Sequence, residues 1–131
     1  MMEEELVDFL LKIVIQMSES DSDTKVIYPF LQENLDKLSL NFAELLRHWT
    51  KNYFAGESSY KAAQAVAGVI GNFGVLIAQF PHGNLADNLD IAIACCEVIE
   101  IIFNFDNFPK FWATSKMNLE VLMESVSMAI K

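Results

Sequence analysis

Residues 88–120 read NLDIAIACCEVIEIIFNFDNFPKFWATSKMNLE and carry the clearest fold signal in this chain. Apolar residues at helical spacing fill the first half, and an Asn/Asp turn follows at 104–107. A further helix is predicted from Pro109, because proline suits the first turn of a helix. Trp112 lies at the start of that helix. The stretch therefore predicts a helical hairpin with an aromatic anchor near its turn, a unit that presents a surface to a partner.

The remainder of the chain continues the same helical pattern. Apolar residues recur at helical spacing with few glycines or prolines between them, and no stretch alternates as a strand does. Helices are predicted over residues 3–17, 24–37 (with a break), 38–54, 57–80, 86–103 and from 109 onward. The sequence thus predicts one all-α domain over 1–131, with five to seven helices in antiparallel hairpins. Within it, 1–56 is a helical leader, and 57–131 is a long helix followed by the repeat-like hairpin.

Several residues predict where these helices begin and end. The polar run 18–23 is predicted to be a loop, with Ser22 or Asp23 capping the next helix. Pro29 removes a backbone donor, so a break is expected near Tyr28 and a second short turn after it. The third helix is expected to stop at Gly56, and the fourth to begin near Ser58 or Ser59 and to end before Pro81.

Small residues mark one face of the fourth helix, and they predict that a neighbouring helix approaches closely. They are Ala63, Ala67, Gly71, Gly74 and Ala78. With Gly68, this helix holds three glycines, each costing about 1 kcal/mol relative to alanine. Residues 62–80 contain no charge and approach the length of a membrane span, but Gln64, Asn72 and Gln79 interrupt them. A buried helix of a soluble protein is the prediction.

The charge balance restricts the classes of partner. The chain has a formal net charge of −9, which repels nucleic acid and anionic membranes, so neither is predicted as a partner. Acidic residues in 3–5, 19–23 and 33–36 predict a solvated face or, alternatively, a binding face for a basic partner. The start of the chain is acidic, whereas a secretory signal is basic, and Cys95 and Cys96 are adjacent, which disfavours a disulfide. A cytoplasmic location is predicted.

No group of residues has the spacing of a catalytic, cofactor or metal site. His48 and His82 lack partners at ligand spacing. The run from Asp21 to Asp23 resembles the start of a calcium loop, but Val26 and Gln32 occupy the positions that need glycine and glutamate. Cys95 and Cys96 lie in an apolar helix with acidic neighbours, which predicts packing rather than reactivity. The sequence therefore predicts neither an enzyme nor a bound cofactor or metal, and it assigns no site residues.

One family pattern is matched over about a quarter of the chain. The matching pairs are Asn88-Leu89, Ala92-Ile93, Phe108-Pro109, Trp112-Ala113 and Asn118-Leu119. They resemble the long tetratricopeptide-type repeats of cyanobacterial proteins, which are often found in chains with a caspase-like CHAT domain. The chain departs from that pattern at Glu120, where the family usually has glycine, and at Cys96 and Ile99, where an aromatic and a small residue are common.

The resemblance implies a tetratricopeptide-like right-handed helical array that binds a protein or peptide. It implies no protease activity, because the chain contains no caspase-like domain. No binding residue is transferred from the family, since Asn118 is accompanied by Met117, Val121 and Glu124 rather than by basic groups.

Taken together, the residues predict a non-catalytic protein–protein interaction or scaffold module. The alternative is a small-ligand-binding domain with a pocket between helices, lined by Phe42, Trp49, Phe73 and Trp112. A lone repeat-like hairpin leaves an apolar flank, which predicts either a homodimer, in which a second copy covers that flank, or a monomer whose own core it closes. Apolar residues also continue to the end of the chain, namely Leu122, Met123, Val126, Met128 and Ile130.

Overall fold

The computed structural model describes residues 2–56 and 59–102, together with Met117, Glu120, Val121 and Glu124. The helices in this part are α1 (Glu3–Ser20), α2 (Thr24–Gln32), α3 (Leu40–Gly56), α4 (Tyr60–Ala78) and α5 (Leu85–Ile102). A 3₁₀ turn, Leu35–Lys37, links α2 to α3. The described residues contain no strand, so the predicted all-α class is confirmed for them.

The first helix is longer than the sequence predicted. It continues to Ser20 instead of ending at Met17, and Asp21 and Ser22 then adopt left-handed backbone angles. Polar residues can extend the end of a helix because water solvates their side chains. The Ser20 hydroxyl also donates a 2.7 Å hydrogen bond to the Gln16 carbonyl. The predicted cap at Asp23 is confirmed, because its carboxylate accepts a hydrogen bond from the Lys25 amide at 3.0 Å.

The predicted break near Tyr28 is wrong, because α2 passes through Pro29 without interruption. Proline at this position removes a single bond, the one that its own amide would make to the Lys25 carbonyl. Both residues are exposed, so water can replace that bond. Tyr28 anchors the same turn by donating a hydrogen bond to the Leu76 carbonyl at 2.8 Å. The predicted second short turn is present as the 3₁₀ turn.

The core forms around aromatic residues that α1, α2 and α3 contribute. Phe9 is 1% exposed, and its ring lies 5.6 Å from the Phe30 ring and 5.1 Å from the Phe42 ring. One continuous apolar cluster extends from these rings to α4 and α5, where it includes Phe73 and Val98. The apolar stripe of α3 is buried at Phe42, Leu45 and Leu46 and half-buried at Trp49 and Tyr53.

The close approach predicted for α4 is present at two of its three glycines. A Cβ added to Gly74 would lie 2.7 Å from the Cys95 Cβ, and one added to Gly71 would lie 2.5 Å from the Ile99 Cδ1. Gly68 differs, since among the described residues no heavy atom outside the backbone of its own helix lies within 4 Å of its added Cβ. Ser59 caps α4, as predicted, by accepting a hydrogen bond from the Ala62 amide at 3.2 Å.

The fifth helix is the central one. Six consecutive residues, 91–96, are buried. Successive residues on an α-helix point about 100° apart, so α5 is enclosed on every side. Asn88, which is 1% exposed, ties α5 to the preceding turn by donating a 2.8 Å hydrogen bond to the His82 carbonyl. Gly83 adopts a φ of 80° in that turn.

Most of the second half of the predicted hairpin lies outside the described residues. This applies to the turn at 104–107, to the start of the sixth helix at Pro109 and to Trp112. Met117, Glu120, Val121 and Glu124 are helical and exposed.

Candidate interaction surface

The outer face of α1 carries aliphatic side chains in the place where solvent-facing polar residues are expected. Leu11 is 42% exposed and Ile15 is 53% exposed, whereas Leu10 and Ile13 on the inner face are 1% exposed. Val7 is half-buried and precedes Leu11 by four residues. Residues four apart on a helix are neighbours, so Val7, Leu11 and Ile15 form a ridge along the helix, here called the outer ridge.

A shallow groove of about 340 Å³ runs along the first half of the outer ridge. Its lining residues are Glu3, Glu4, Val7, Asp8 and Leu11. Three of these five side chains are carboxylates. Lys12 forms an ion pair with Asp8 at 2.9 Å, and both side chains are largely exposed. The groove therefore combines an apolar base with an acidic rim.

A second groove, of about 410 Å³, lies between α1 and α3. Leu6 and Leu45 are its most buried members, while exposed polar groups surround them. Those groups are Glu3, Asn41, Glu44 and His48. Glu3 lines both grooves, so the acidic apolar surface continues around the start of α1.

The charged groups between α3 and α5 form a structural cluster. Arg47 contacts Glu97 at 3.1 Å, Asp90 at 3.7 Å and Glu44 at 2.7 Å. Burial lowers the pKa of Arg47, but the hydrogen bond and charge of Glu97, with the charges of Asp90 and Glu44, raise it by more. One guanidinium thus neutralises carboxylates of two helices, which stabilises their packing.

The two cysteines are buried thiols, as the sequence predicted. Cys95 is 0% exposed and Cys96 is 8% exposed. Burial raises the pKa of Cys95, and the adjacent Cys96 raises it further. Burial, with the negative charges of Glu100 and Glu97, raises the pKa of Cys96 to about 11. Both thiols are therefore protonated at neutral pH and are poor nucleophiles.

The described residues contain no group of three or more His, Cys, Asp or Glu side chains that could hold a metal ion. His48 and His82 are both exposed, and they lie on different elements. Asp21 and Asp23 belong to the turn that ends α1 and caps α2.

Three of the four aromatic residues of the predicted ligand pocket are described by the structure, and Phe42, Trp49 and Phe73 do not line the grooves described above. Phe42 and Phe73 are 0% and 1% exposed, so they belong to the packed core. Trp49 is half-buried and stacks on Tyr53, with 5.4 Å between the ring centroids. Trp112 lies outside the described residues. None of these observations favours a small ligand.

Within the described part of the chain, one helix is long and apolar enough to cross a membrane, by length and composition alone. It is α4, with a mean hydropathy of 1.4 and 44% of its apolar window buried. Its buried side includes Ala67, Ile70 and Phe73, which pack within the protein.

The outer ridge was missed in reading the sequence. The helical spacing within residues 3–17 predicts an apolar stripe that leaves out Leu11 and Ile15 and consists of Leu6, Phe9, Leu10, Ile13, Val14 and Met17. The signal was present, because Val7, Leu11 and Ile15 repeat every four residues on the face opposite Phe9.

Comparison of the chain with protein-family models, curated proteins and solved structures finds no match.

Proposed function

We propose that this protein is a non-catalytic interaction module that binds a protein or peptide through the outer ridge of α1. The observation that carries the proposal is the exposure of Leu11 and Ile15 on the face opposite the core. A surface helix of a globular protein normally places charged and polar residues on that face. An aligned apolar ridge beside a groove fits a protein contact better than isolated exposed side chains do.

The proposal includes the helical arrangement that the resemblance implies, a tetratricopeptide-like array of antiparallel hairpins. Contacts between α4 and α5 support antiparallel packing. The Tyr60 hydroxyl, at the start of α4, donates to the carbonyl of Ile102, the last residue of α5. Further along α4, Gly74 faces Cys95, which precedes Ile102. The contacts thus run in opposite order along the two helices.

The same proposal places the protein in the cytoplasm, in the class of cyanobacterial tetratricopeptide-like proteins that accompany CHAT domains. The residue pairs in 88–120 that match the family pattern support this class. Nucleic acid and anionic membranes are poor partners for a chain of net charge −9. The division into a leader, 1–56, and a repeat-bearing part, 57–131, belongs to the same proposal.

Site-specific photo-crosslinking tests the proposed binding surface. A benzophenone amino acid would replace Leu11 in the full chain, and a control would carry it at Val75, an exposed residue of α4. After irradiation in an extract of the cells that make the protein, Leu11 should yield a discrete adduct with another protein, and Val75 should not. An adduct of about twice 14.8 kDa at Leu11 would instead support the homodimer. Failure to form any adduct at Leu11, or equal adducts at both positions, would contradict the proposed surface.

A further inference from the structure

We infer that the partner segment bound by the outer ridge is a basic amphipathic helix, lying along α1 with its apolar side on Val7, Leu11 and Ile15. This inference rests on the proposed function and adds the chemistry of the partner.

The shape of the ridge favours a helix as the occupant. Val7, Leu11 and Ile15 are four residues apart, and a span of eight residues covers about 12 Å of helix axis. Residues spaced by four form one of the ridges that pack into the grooves of a second helix. A helical segment with apolar residues at intervals of three and four can therefore follow this surface along its length.

The charges along the ridge select a basic partner. Glu3, Glu4 and Asp8 line the groove beside Val7 and Leu11. All three are exposed, so lysine or arginine side chains flanking the apolar seam of a partner could reach them without losing their own water. A complementary charge pattern accelerates association and rejects acidic partners.

A second copy of this chain fits the ridge poorly. Pairing two α1 helices would bring two acidic rims together, and each chain carries a net charge of −9. Like charges opposed across an interface weaken binding. Lys12 lies beside this groove and already forms an ion pair with Asp8 of the acidic rim at 2.9 Å. It is also the group that a basic partner would displace.

Binding of a defined peptide to the full chain tests the inference. The probe is a fluorescently labelled helix of leucine and lysine, with the leucines on one face. Its isomer has the same composition, with the leucines spread around the helix. By fluorescence anisotropy the amphipathic peptide should bind at least about tenfold tighter than its isomer, a difference of about 1.4 kcal/mol. Equal binding would mean attraction to net charge alone and would overturn the inference.

Matched variants locate the binding site. Ile15 and Val75 are both 53% exposed, so Ile15→Gln and Val75→Gln remove similar apolar surface from α1 and α4. Ile15→Gln should weaken peptide binding about tenfold, and Val75→Gln should leave it unchanged. Equal weakening by both variants would overturn the inference.

A change of charge supplies a readout that a purely structural role would not give. Lys12→Gln should tighten peptide binding, because it frees Asp8 to pair with the peptide and removes a positive charge that repels the lysines of the peptide. Asp8→Asn should weaken binding, and added salt should reduce the difference between the two variants. Weaker binding by Lys12→Gln would overturn the inference. If crosslinking at Leu11 captures a protein while the peptide fails to bind, the basic partner is excluded and the proposed function stands.

Discussion

Replacing each glycine of α4 by alanine measures how closely α4 and α5 approach. Alanine is about 1 kcal/mol more favourable than glycine inside a helix. At Gly68 the added methyl group meets no atom within 4 Å. Gly68→Ala should therefore raise the free energy of unfolding by about 0.5–1 kcal/mol.

At Gly74 the same change should have the opposite sign. The new Cβ would lie 2.7 Å from the Cys95 Cβ, well inside the ~3.5–4.0 Å at which carbon atoms make favourable contact. A Cβ is attached directly to the backbone, so the helices themselves must separate. Overpacking of this kind costs about 1–3 kcal/mol, which exceeds the gain in helix propensity. The expected result is a net loss of about 1 kcal/mol.

Gly71 provides the intermediate case. Its nearest neighbour is the Ile99 Cδ1 at 2.5 Å, the far end of a flexible and half-buried side chain. Displacing this side chain by about 30° from its preferred rotamer costs about 0.5–1.5 kcal/mol, which roughly offsets the gain in helix propensity. Gly71→Ala should therefore leave stability nearly unchanged.

Urea unfolding of the full chain, followed by far-ultraviolet circular dichroism, gives the three differences. Combining Gly74→Ala with Cys95→Gly adds a double-mutant cycle. If the contact between the two Cβ atoms causes the loss, Gly74→Ala should become stabilising in the Cys95→Gly background. If Gly74→Ala stabilises the unaltered chain as much as Gly68→Ala does, the close approach of the helices is refuted.

Three further predictions concern the core and the charged cluster. The pKa of Cys96 is raised from 9.0 to about 11, so the unfolded chain loses this thiol proton at a lower pH than the folded chain does. The free energy of unfolding should therefore fall by up to about 3 kcal/mol between pH 9 and 11. Urea titrations at both pH values should show a smaller fall for Cys96→Ala. Arg47→Met leaves the partly exposed carboxylates of Asp90 and Glu97 without their cation and should lower the free energy of unfolding in urea by about 1 kcal/mol. Glu44→Gln, with a side chain 74% exposed, should change it by less than about 0.5 kcal/mol. Tyr28→Phe removes the 2.8 Å hydrogen bond to the Leu76 carbonyl and should lower the thermal midpoint by an amount that corresponds to about 1 kcal/mol; an unchanged midpoint would mean that water replaces that bond without cost.

Helix position was predicted well from the sequence wherever apolar periodicity and capping residues agreed. Ser59 and Asp23 cap the helices that were predicted to follow them, since a side-chain oxygen at that position satisfies a free backbone amide locally. The Pro29 prediction failed because its outcome depends on tertiary context. The exposure of Lys25 and the anchoring of Tyr28 on α4 are not local properties.

The candidate surface was harder to predict for a related reason. The pattern shows that α1 has two apolar faces, but it does not show which face the other helices cover. Phe9 decides this question, because the contacts of its ring with the Phe30 and Phe42 rings direct one face of α1 inward. Leu11 and Ile15 are then left on the opposite face. Burial is a property of the assembled helices, so a single segment cannot specify it.

Stability and the proposed binding depend on different side chains. Because α5 is buried on every side over 91–96, a partner cannot reach this part of it, and substitutions there act through the core. The helix α1 contributes Phe9 and Leu10 to that core and leaves Leu11 and Ile15 outside. Substituting an exposed side chain of this kind usually changes stability by less than about 0.5 kcal/mol. An outer-ridge variant that loses its partner while keeping its unfolding midpoint would therefore separate binding from folding, which no variant within 91–96 can do.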